Sequence, residues 1–260
     1  MCEVSMSRVL TEVPWGYTMP RDEVHVWLTR VGWPPTHIRE LADVLSLAER
    51  QKVKRLRFPL DRERHVIGRG LVRVVLGRIL DTRPDSLNYV YNDFGKPYLR
   101  DAPNGRHLQF NISHSGDIVL IALADDRQVG VDVERIRHDL ELEEIARRSF
   151  SSGEQADLGV LPAGERHNAF FRCWSRKEAF IKARGEGLSL PLDRFDVSVR
   201  VGDSAALLAT RPDPLEASRW VIRDLDVGPG YKASVAVEGS GWRLKILELR
   251  IQQDQPSISL

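Results

Sequence analysis

The chain has 260 residues, of which 42% are hydrophobic and 29% charged, so it can bury a core and is not disordered. Lys and Arg number 38 against 37 Asp and Glu, and the net charge of +1 excludes a globally basic nucleic-acid-binding protein. Its two cysteines, Cys2 and Cys173, exclude a disulfide framework and a four-ligand zinc site.

Nothing in the sequence is typical of export or membrane insertion. The first residues show no basic segment followed by an apolar one, as a signal peptide would. The longest apolar run, residues 118–124, is far shorter than the roughly 20 residues that span a bilayer. We therefore expect a cytoplasmic α/β or α+β protein that has free thiols and binds neither membranes nor nucleic acid.

The first third of the chain predicts one strand and two helices. Residues 23–28 alternate between apolar and polar, the period of a half-buried strand. Apolar residues then follow 3.6-residue spacing over 38–57, which predicts a single helix. The same spacing predicts a second helix over 61–80.

The middle of the chain, residues 87–135, predicts short strands joined by turns. Residues 108–111 are predicted to form a strand that leads into a polar turn at Ser113–Gly116. The apolar run 118–124 predicts the next strand, and residues 128–135 predict another.

Helices and strands alternate again in the last part of the chain. Residues 139–158, with a break at 151–153, and residues 165–183 predict helices. Several strands are predicted within 188–250, followed by a loose polar tail.

The two halves share a pattern that favours internal duplication, although chance could also produce it. Arg64-His65 and Arg166-His167 each lead into an amphipathic helix. We divide the chain into an N-terminal half (1–117), a C-terminal half (118–250) and a flexible tail (251–260).

The first candidate site lies on the predicted strand that contains Asp132 and Glu134. Strand periodicity places both carboxylates on one face, about 7 Å apart at roughly 3.3 Å per residue. They repel each other unless a hard cation such as Mg²⁺ binds between them. The alternative is a strand whose polar face is solvated.

Glu178 and Lys182 form the second candidate, because their i,i+4 spacing places them one above the other on a helix. They border apolar residues that we expect to be buried, which is unusual for charged groups. An ordinary surface ion pair is the alternative. Together with Asp132 and Glu134, they would supply three carboxylates and a lysine to a metal–phosphate site.

Two predicted turns could contact an anion. Ser113 and His114 lie in a turn whose N–H groups and side chains can donate to phosphate. Lys96 lies between Gly95 and Pro97, where a tight turn would present its ammonium group as a point charge. For both motifs an ordinary polar turn is the alternative.

A basic run lies between Arg50 and Arg78, a segment that contains ten basic residues and two acidic ones. This excess indicates a polyanionic ligand, and a solvated helix face is the alternative. The sequence contains no P-loop, no Gly-x-Ser-x-Gly elbow and no zinc-ligand spacing, which favours oxygen-liganded Mg²⁺.

The order and spacing of these motifs resemble the Sfp-type 4′-phosphopantetheinyl transferases over residues 38–240. The matching motifs are Gly95-Lys-Pro97, Phe110–Gly116, Gly130–Glu134, Trp174–Lys182, Gly187–Leu192 and Pro229–Lys232. The resemblance implies two similar α/β halves related by a pseudo-twofold axis, with coenzyme A and Mg²⁺ in the cleft. It also implies transfer of the 4′-phosphopantetheine arm of coenzyme A to a serine of an apo acyl- or peptidyl-carrier protein, with release of 3′,5′-ADP.

The resemblance implies a role for each matching residue. Asp132, Glu134 and Glu178 are expected as metal ligands, and Asp132, Glu178 and Lys182 as the catalytic set. Glu178, or a water held by the metal, is expected to take the serine proton. The expected contacts to coenzyme A are Arg50, Lys52, Arg64, Lys96, Ser113, His114 and Lys182.

Two other functions stay open. A Mg²⁺-dependent nuclease would also use acidic residues and a lysine in a basic groove. A non-enzymatic module that binds a carrier protein or another acidic partner would leave Asp132 and Glu134 solvated. The transferase itself is expected to be a monomer that binds its acidic carrier near residues 139–165. The expected arginine contacts are Arg147, Arg148, Arg166 and Arg172.

Overall fold

The computed structural model describes residues 17–100, 105–200, 202–211 and 213–249. Cys2 and the tail therefore lie outside the described residues. Within these ranges the helices are α1 (Pro35–Asp43), α2 (Leu47–Arg55), α3 (Pro59–Leu80), α4 (Leu142–Ser149), α5 (Ser152–Gly159) and α6 (Ala163–Arg184). The strands are β1 (Glu23–Arg30), β2 (Tyr89–Tyr91), β3 (Pro97–Leu99), β4 (Leu108–Ser115), β5 (Ile118–Asp125), β6 (Val129–Arg135), β7 (Phe195–Val197), β8 (Leu207–Thr210), β9 (Trp220–Leu225), β10 (Tyr231–Glu238) and β11 (Arg243–Leu249).

Two sheets carry the fold. The first has the order β11-β1-β5-β4, in which β1 runs parallel to β11 and antiparallel to β5. The second has the order β6-β10-β9 and is antiparallel throughout. The other strands form two short hairpins, β2–β3 and β7–β8. This mixed arrangement confirms the predicted fold class, with two α/β halves.

Apolar clusters bind each long helix to its sheet and the two sheets to each other. Ile67 of α3 belongs to one cluster with Phe110 of β4, and Phe180 of α6 to another with Ile222 of β9. A further cluster combines residues of β1 and β5 with residues of β6 and β10. Cys173 is a buried free thiol. None of the described helices is long and apolar enough to cross a membrane.

The prediction of one helix over 38–57 is wrong, because α1 and α2 are separate helices. Ser46 has an extended backbone, and its Oγ accepts from the N–H of Glu49 at 3.3 Å. The Glu49 carboxylate accepts from the N–H of Ser46 at 2.9 Å in return. This capping box starts a new helix although the apolar spacing continues.

The predicted turn at Ser113–Gly116 is also wrong, because β4 continues to Ser115. The chain turns at Gly116, whose φ of 57° favours glycine. A Cβ atom there would lie 2.1 Å from the hydroxyl oxygen of Tyr231. Ser113 and His114 therefore lie in a strand and not in a turn.

The second half repeats a structural device of the first. Ser151 and Glu154 form a capping box at the start of α5, at the predicted break. Glu154 also accepts from the buried Lys177 of α6 at 2.6 Å, as Glu49 accepts from the buried Arg73 of α3 at 2.8 Å. In both halves a single carboxylate caps one helix and binds it to the long helix that follows.

The division of the chain after residue 117 stays a prediction. That position lies in the turn between β4 and β5, which pair as a hairpin in the first sheet. The same sheet contains β11, from the far end of the described chain.

Glu154→Gln is expected to lower the free energy of unfolding by about 3–5 kcal/mol, because it leaves the buried Lys177 ammonium group without a counter-charge. Urea unfolding followed by circular dichroism measures the change. Asp139→Asn is the matched control, since Asp139 pairs with Arg137 at the surface and its loss should leave stability unchanged. Equal effects of the two substitutions would contradict the structural role of Glu154.

Candidate active site

Polar side chains of β4 connect the first sheet to the backbone of the second. Asn111, Ser113 and Ser115 alternate along β4 and therefore face the same side. Their side-chain oxygens accept from the N–H groups of Val131, Val133 and Arg135 in β6, at 3.0, 3.3 and 3.0 Å. We call these three contacts the side-chain ladder. It brings the β6 carboxylates up against β4.

Asp132 lies at the centre of the site and is only 2% exposed. The Ser113 hydroxyl donates to Asp132 Oδ1 at 3.0 Å, and the Lys182 ammonium group donates to the same oxygen at 2.6 Å. Lys182 also donates to Ser113 Oγ at 3.0 Å. Glu134 lies two residues after Asp132 on β6, and its carboxylate accepts from the Ser115 hydroxyl at 3.3 Å. Strands β4 and β6 and helix α6 thus meet at one point.

Gly130 allows α6 to approach β6 closely enough for this contact. A Cβ atom at Gly130 would lie 2.2 Å from both the carbonyl oxygen of Ala179 and the backbone nitrogen of Ala183. Only glycine leaves room for the helix backbone at this position. Glu178 and Lys182 directly precede Ala179 and Ala183 in α6, and so this close approach places them beside Asp132.

The site has an excess of negative charge. Burial and then the neighbouring Asp132 raise the pKa of Glu134 to about 7. The same two causes, in the same order, raise the pKa of Glu178. Burial alone would lower the pKa of Lys182, but the charge of Asp132 and the hydrogen bond to it raise that pKa above its ordinary value. Lys182 is thus a cation among three carboxyl groups.

The chemistry of the acidic residues suits a hard cation. Asp132 Oδ2 is buried and has no hydrogen-bond partner among the described residues. Carboxylate oxygens are the ligands that Mg²⁺ prefers, and a cation would relieve the repulsion that raises the pKa of Glu134 and Glu178. No group of three or more His, Cys, Asp or Glu in the described ranges is already arranged around a metal position. The assignment of Asp132, Glu134 and Glu178 as ligands therefore stays a prediction.

A cavity of about 330 Å³ opens beside Glu178 and Lys182. Its other lining residues include Arg69, Phe94 and Lys96. The cavity thus extends from Glu178 and Lys182 of α6 to the turn that contains Lys96. Apolar and charged groups share its wall, as in sites for small ligands.

Lys96 has a structural role at the edge of this cavity. Its ammonium group donates to the side-chain oxygen of Gln128 at 3.0 Å and to the carbonyl oxygens of Val129 and Ala183 at 3.3 and 2.7 Å. All three N–H groups are therefore used, and burial lowers the pKa of Lys96 to about 8. Lys96 holds its turn against β6 and the end of α6, and its predicted contact with coenzyme A stays untested.

The remaining predicted contacts are spread over three elements. Arg50 donates to the carbonyl oxygens of Asp43 and Leu45, at 3.0 and 2.8 Å, and so caps the end of α1. Arg64 of α3 donates to the Gly116 carbonyl. The other two, Lys52 of α2 and His114 of β4, are exposed.

His114 lies near two cations. Desolvation and then the charges of Arg64 and Lys182 lower its pKa. The structure therefore groups His114 with Arg64 and Lys182, whereas Arg50 is engaged elsewhere.

Several residues that build the site were not predicted individually. Asn111 and Ser115 hold β6, and Ser115 positions Glu134. Arg69 lines the cavity and was counted only within the basic run. The polar residues at positions 111, 113 and 115 have strand periodicity. This alternation is the sequence feature that could have predicted the side-chain ladder.

Comparison with known proteins decides the family. Residues 128–236 match the model of the 4′-phosphopantetheinyl transferase superfamily, and residues 32–126 match the 4′-phosphopantetheinyl transferase N-terminal model. The chain is 36% identical to 4′-phosphopantetheinyl transferase HetI of Nostoc sp. over 233 residues, which cover 89% of this chain and 94% of that protein. The chain belongs to the 4′-phosphopantetheinyl transferase superfamily.

A second relative supports the same assignment. 4′-Phosphopantetheinyl transferase Sfp of Bacillus subtilis is 37% identical over 191 residues, which cover 74% of this chain and 81% of that protein. The predicted resemblance is thus confirmed, and the protein is a 4′-phosphopantetheinyl transferase that acts on carrier proteins. This membership decides against the nuclease and the non-enzymatic module. The family typically uses coenzyme A and Mg²⁺.

Gly130→Ala in the transferase is expected to lower the free energy of unfolding by about 1–3 kcal/mol, because the added methyl group would push α6 away from β6. Urea unfolding measures the loss, and coenzyme A affinity should fall with it.

Gly164→Ala is the matched control in the same helix. A Cβ at Gly164 would meet nothing within 4 Å, so this substitution should leave stability unchanged or raise it by up to about 1 kcal/mol. If Gly130→Ala proved as harmless as Gly164→Ala, the close approach of α6 would not define the site.

Proposed function

We propose that the transferase moves the 4′-phosphopantetheine group of coenzyme A to a serine of an apo carrier protein, in a Mg²⁺-dependent reaction that releases 3′,5′-ADP. The observation that carries this proposal is the contact of Lys182 with the buried Asp132, next to Glu134 and Glu178. A pyrophosphate needs cationic partners, and this site offers one lysine together with the acidic ligands for a metal ion.

Asp132, Glu134 and Glu178 would hold Mg²⁺, whose bound charge would offset that of the pyrophosphate. Lys182 uses two of its N–H groups on Asp132 and Ser113, so one is left to donate to a phosphate oxygen. Lys96, in contrast, uses all three of its N–H groups within the protein. The contact with Asp132 fixes Lys182 in position before the substrate binds.

The reaction is a substitution at phosphorus. The serine oxygen forms a bond to the phosphorus that carries pantetheine, the bond from this phosphorus to the bridging oxygen breaks, and 3′,5′-ADP leaves. Lys182 stabilises the charge that develops on the departing phosphate. Glu178, beside Asp132 and Lys182, would take the serine proton as the general base.

The carrier protein would dock on a groove formed by α4, α5 and the start of α6. This cavity of about 420 Å³ has Leu142, Ala146 and Leu158 among its apolar lining residues and Arg147 and Arg166 among its charged ones. Basic residues around an apolar floor suit an acidic carrier surface. Arg172, by contrast, is half-buried with guanidinium nitrogens out of contact with solvent, so it is not part of this surface.

Asp132→Asn is expected to abolish transfer, because it removes the charge that holds Lys182 and a predicted metal ligand. Glu178→Gln should reduce the rate by about 10²- to 10⁴-fold if Glu178 is the base. Intact mass spectrometry of an apo carrier incubated with coenzyme A and Mg²⁺ measures the gain of one phosphopantetheine group. EDTA should prevent that gain.

Asp226→Asn serves as the control, since the exposed Asp226 lies outside the site and an asparagine can still accept from the N–H of Gly228. Full turnover by the Glu178→Gln enzyme would contradict the role of Glu178 as base. Transfer that persists in EDTA would contradict the metal requirement.

Arg147→Glu is expected to reduce kcat/KM for the carrier by about 3- to 10-fold at low salt, through a slower encounter with an acidic partner. The KM for coenzyme A should not change, and the effect should shrink as ionic strength rises. Lys245→Glu reverses an exposed charge on β11, in the other sheet, and should change neither value. Loss of coenzyme A affinity in the Arg147 variant would count against docking at this groove.

A further inference from the structure

Two histidine side chains stack beside the groove that is proposed to dock the carrier. His138 lies in the segment between β6 and α4, and His167 lies in the second turn of α6. Their ring centroids are 4.8 Å apart, and the ring planes are inclined by 33° to each other. His167 lines the groove of about 420 Å³, while His138 is exposed and packs on its ring. The pair therefore contributes to the surface of the groove.

The two rings take no part in the acidic centre around Asp132. Among the described residues, no hydrogen bond or ion pair holds either side chain, so the ring nitrogen atoms are available to a partner. The buried His25 is different, because its two ring nitrogen atoms contact Tyr17 at 2.9 Å and Glu23 at 2.8 Å. Stacking fixes the positions of His138 and His167 without using their nitrogen atoms.

The charged residues that line the groove leave it with a small positive excess. Helix α4 contributes Glu143 and Arg147, and α6 contributes Arg166. Glu143 lies 3.9 Å from Arg166, so this acidic group and one of the two arginines largely offset each other. Gln155, the polar lining residue of α5, is uncharged. A charge on His167 would therefore change the balance of the groove substantially.

The charges beside His138 offset each other. Arg137 and Asp139, its neighbours in the chain, form an ion pair at 2.8 Å. Histidine gains a positive charge as the pH falls from 8 to 5. Two such charges 4.8 Å apart would repel each other, so the stacked rings favour one added charge for the pair. This charge would add to those of Arg147 and Arg166 at the groove.

We propose that His138 and His167 contact the acidic carrier protein and strengthen its docking as the pH falls. A carrier with carboxylate groups around an apolar patch would match the arginines and the apolar floor of the groove, and the histidine charge would increase that complementarity. The inference rests on the proposed docking at this groove, but its test needs neither coenzyme A nor turnover.

Isothermal titration calorimetry with an acidic apo acyl carrier protein, whose acceptor serine is replaced by alanine, tests the inference at pH 8 and pH 6 and at low salt. From pH 8 to pH 6, the affinity of the wild-type protein should rise about 2- to 5-fold more than that of the His138→Gln/His167→Gln variant, as expected for one exposed charge contact. The two proteins should bind nearly equally at pH 8. Since both bind the same carrier, titration of the carrier itself cancels in the comparison.

His167→Arg carries a charge at both pH values, so its affinity should stay high and lose the added pH dependence. His107→Gln is the matched control, because His107 is an exposed histidine just before β4 and outside the groove. It should keep the pH dependence of the wild-type protein. Urea unfolding checks that each variant is folded, and His138→Gln alone, at an exposed position, decides the question if the double variant does not fold.

The result is separable from that of the proposed function. If Arg147→Glu weakened binding while the histidine substitutions left the pH dependence unchanged, the inference would be overturned and the docking groove would stand. No binding at either pH, or binding that Arg147→Glu did not affect, would overturn both. Absence of phosphopantetheine transfer by a protein whose carrier binding depended on the two histidines would count only against the proposed reaction.

Discussion

The site depends on the side-chain ladder between β4 and β6. The two strands belong to different sheets, so the backbone of β4 does not satisfy the N–H groups of Val131, Val133 and Arg135. Side-chain oxygens of β4 do so instead. Ser113 and Ser115 have a second role, because their hydroxyl groups donate to Asp132 and Glu134. The contacts that join the sheets therefore also orient two of the acidic side chains.

This construction explains how the protein keeps several like charges together in a partly buried place. Helix α6 approaches β6 at Gly130 and brings Lys182 to Asp132, so one carboxylate is paired. Among the described residues no cation pairs with Glu134 or Glu178, and burial and then the charge of Asp132 raise the pKa of both. A cation bound beside these carboxyl groups would supply the missing compensation and lower both pKa values.

Local periodicity predicted the existence of β1, α3, β6 and α6. The expectation that β1 is half-buried is wrong, because residues 24–29 are all buried, with another strand on each side of β1. Periodicity did not predict the break before α2, because the apolar spacing continues past Ser46 and only the capping box marks the new start. It also placed Ser113 in a turn, because serines are common in turns and the role of β4 depends on a strand distant in sequence. Arg50 and Lys96 look like anion contacts in the sequence, and only the folded chain shows that they bind backbone carbonyls.

The two halves show how one scaffold supplies unlike chemistry. Each joins a capping box to its long helix through a buried ion pair, and both long helices have 22 residues. When the two long helices are aligned so that Arg73 corresponds to Lys177, the residue that corresponds to Glu178 is Val74. This valine is buried. The duplicated contact thus fixes the two helices alike, while the residues that follow it differ. Both helices line the cavity of about 330 Å³, α6 with Glu178 and Lys182 and α3 with Arg69, so equivalent supports present different charges to one ligand site.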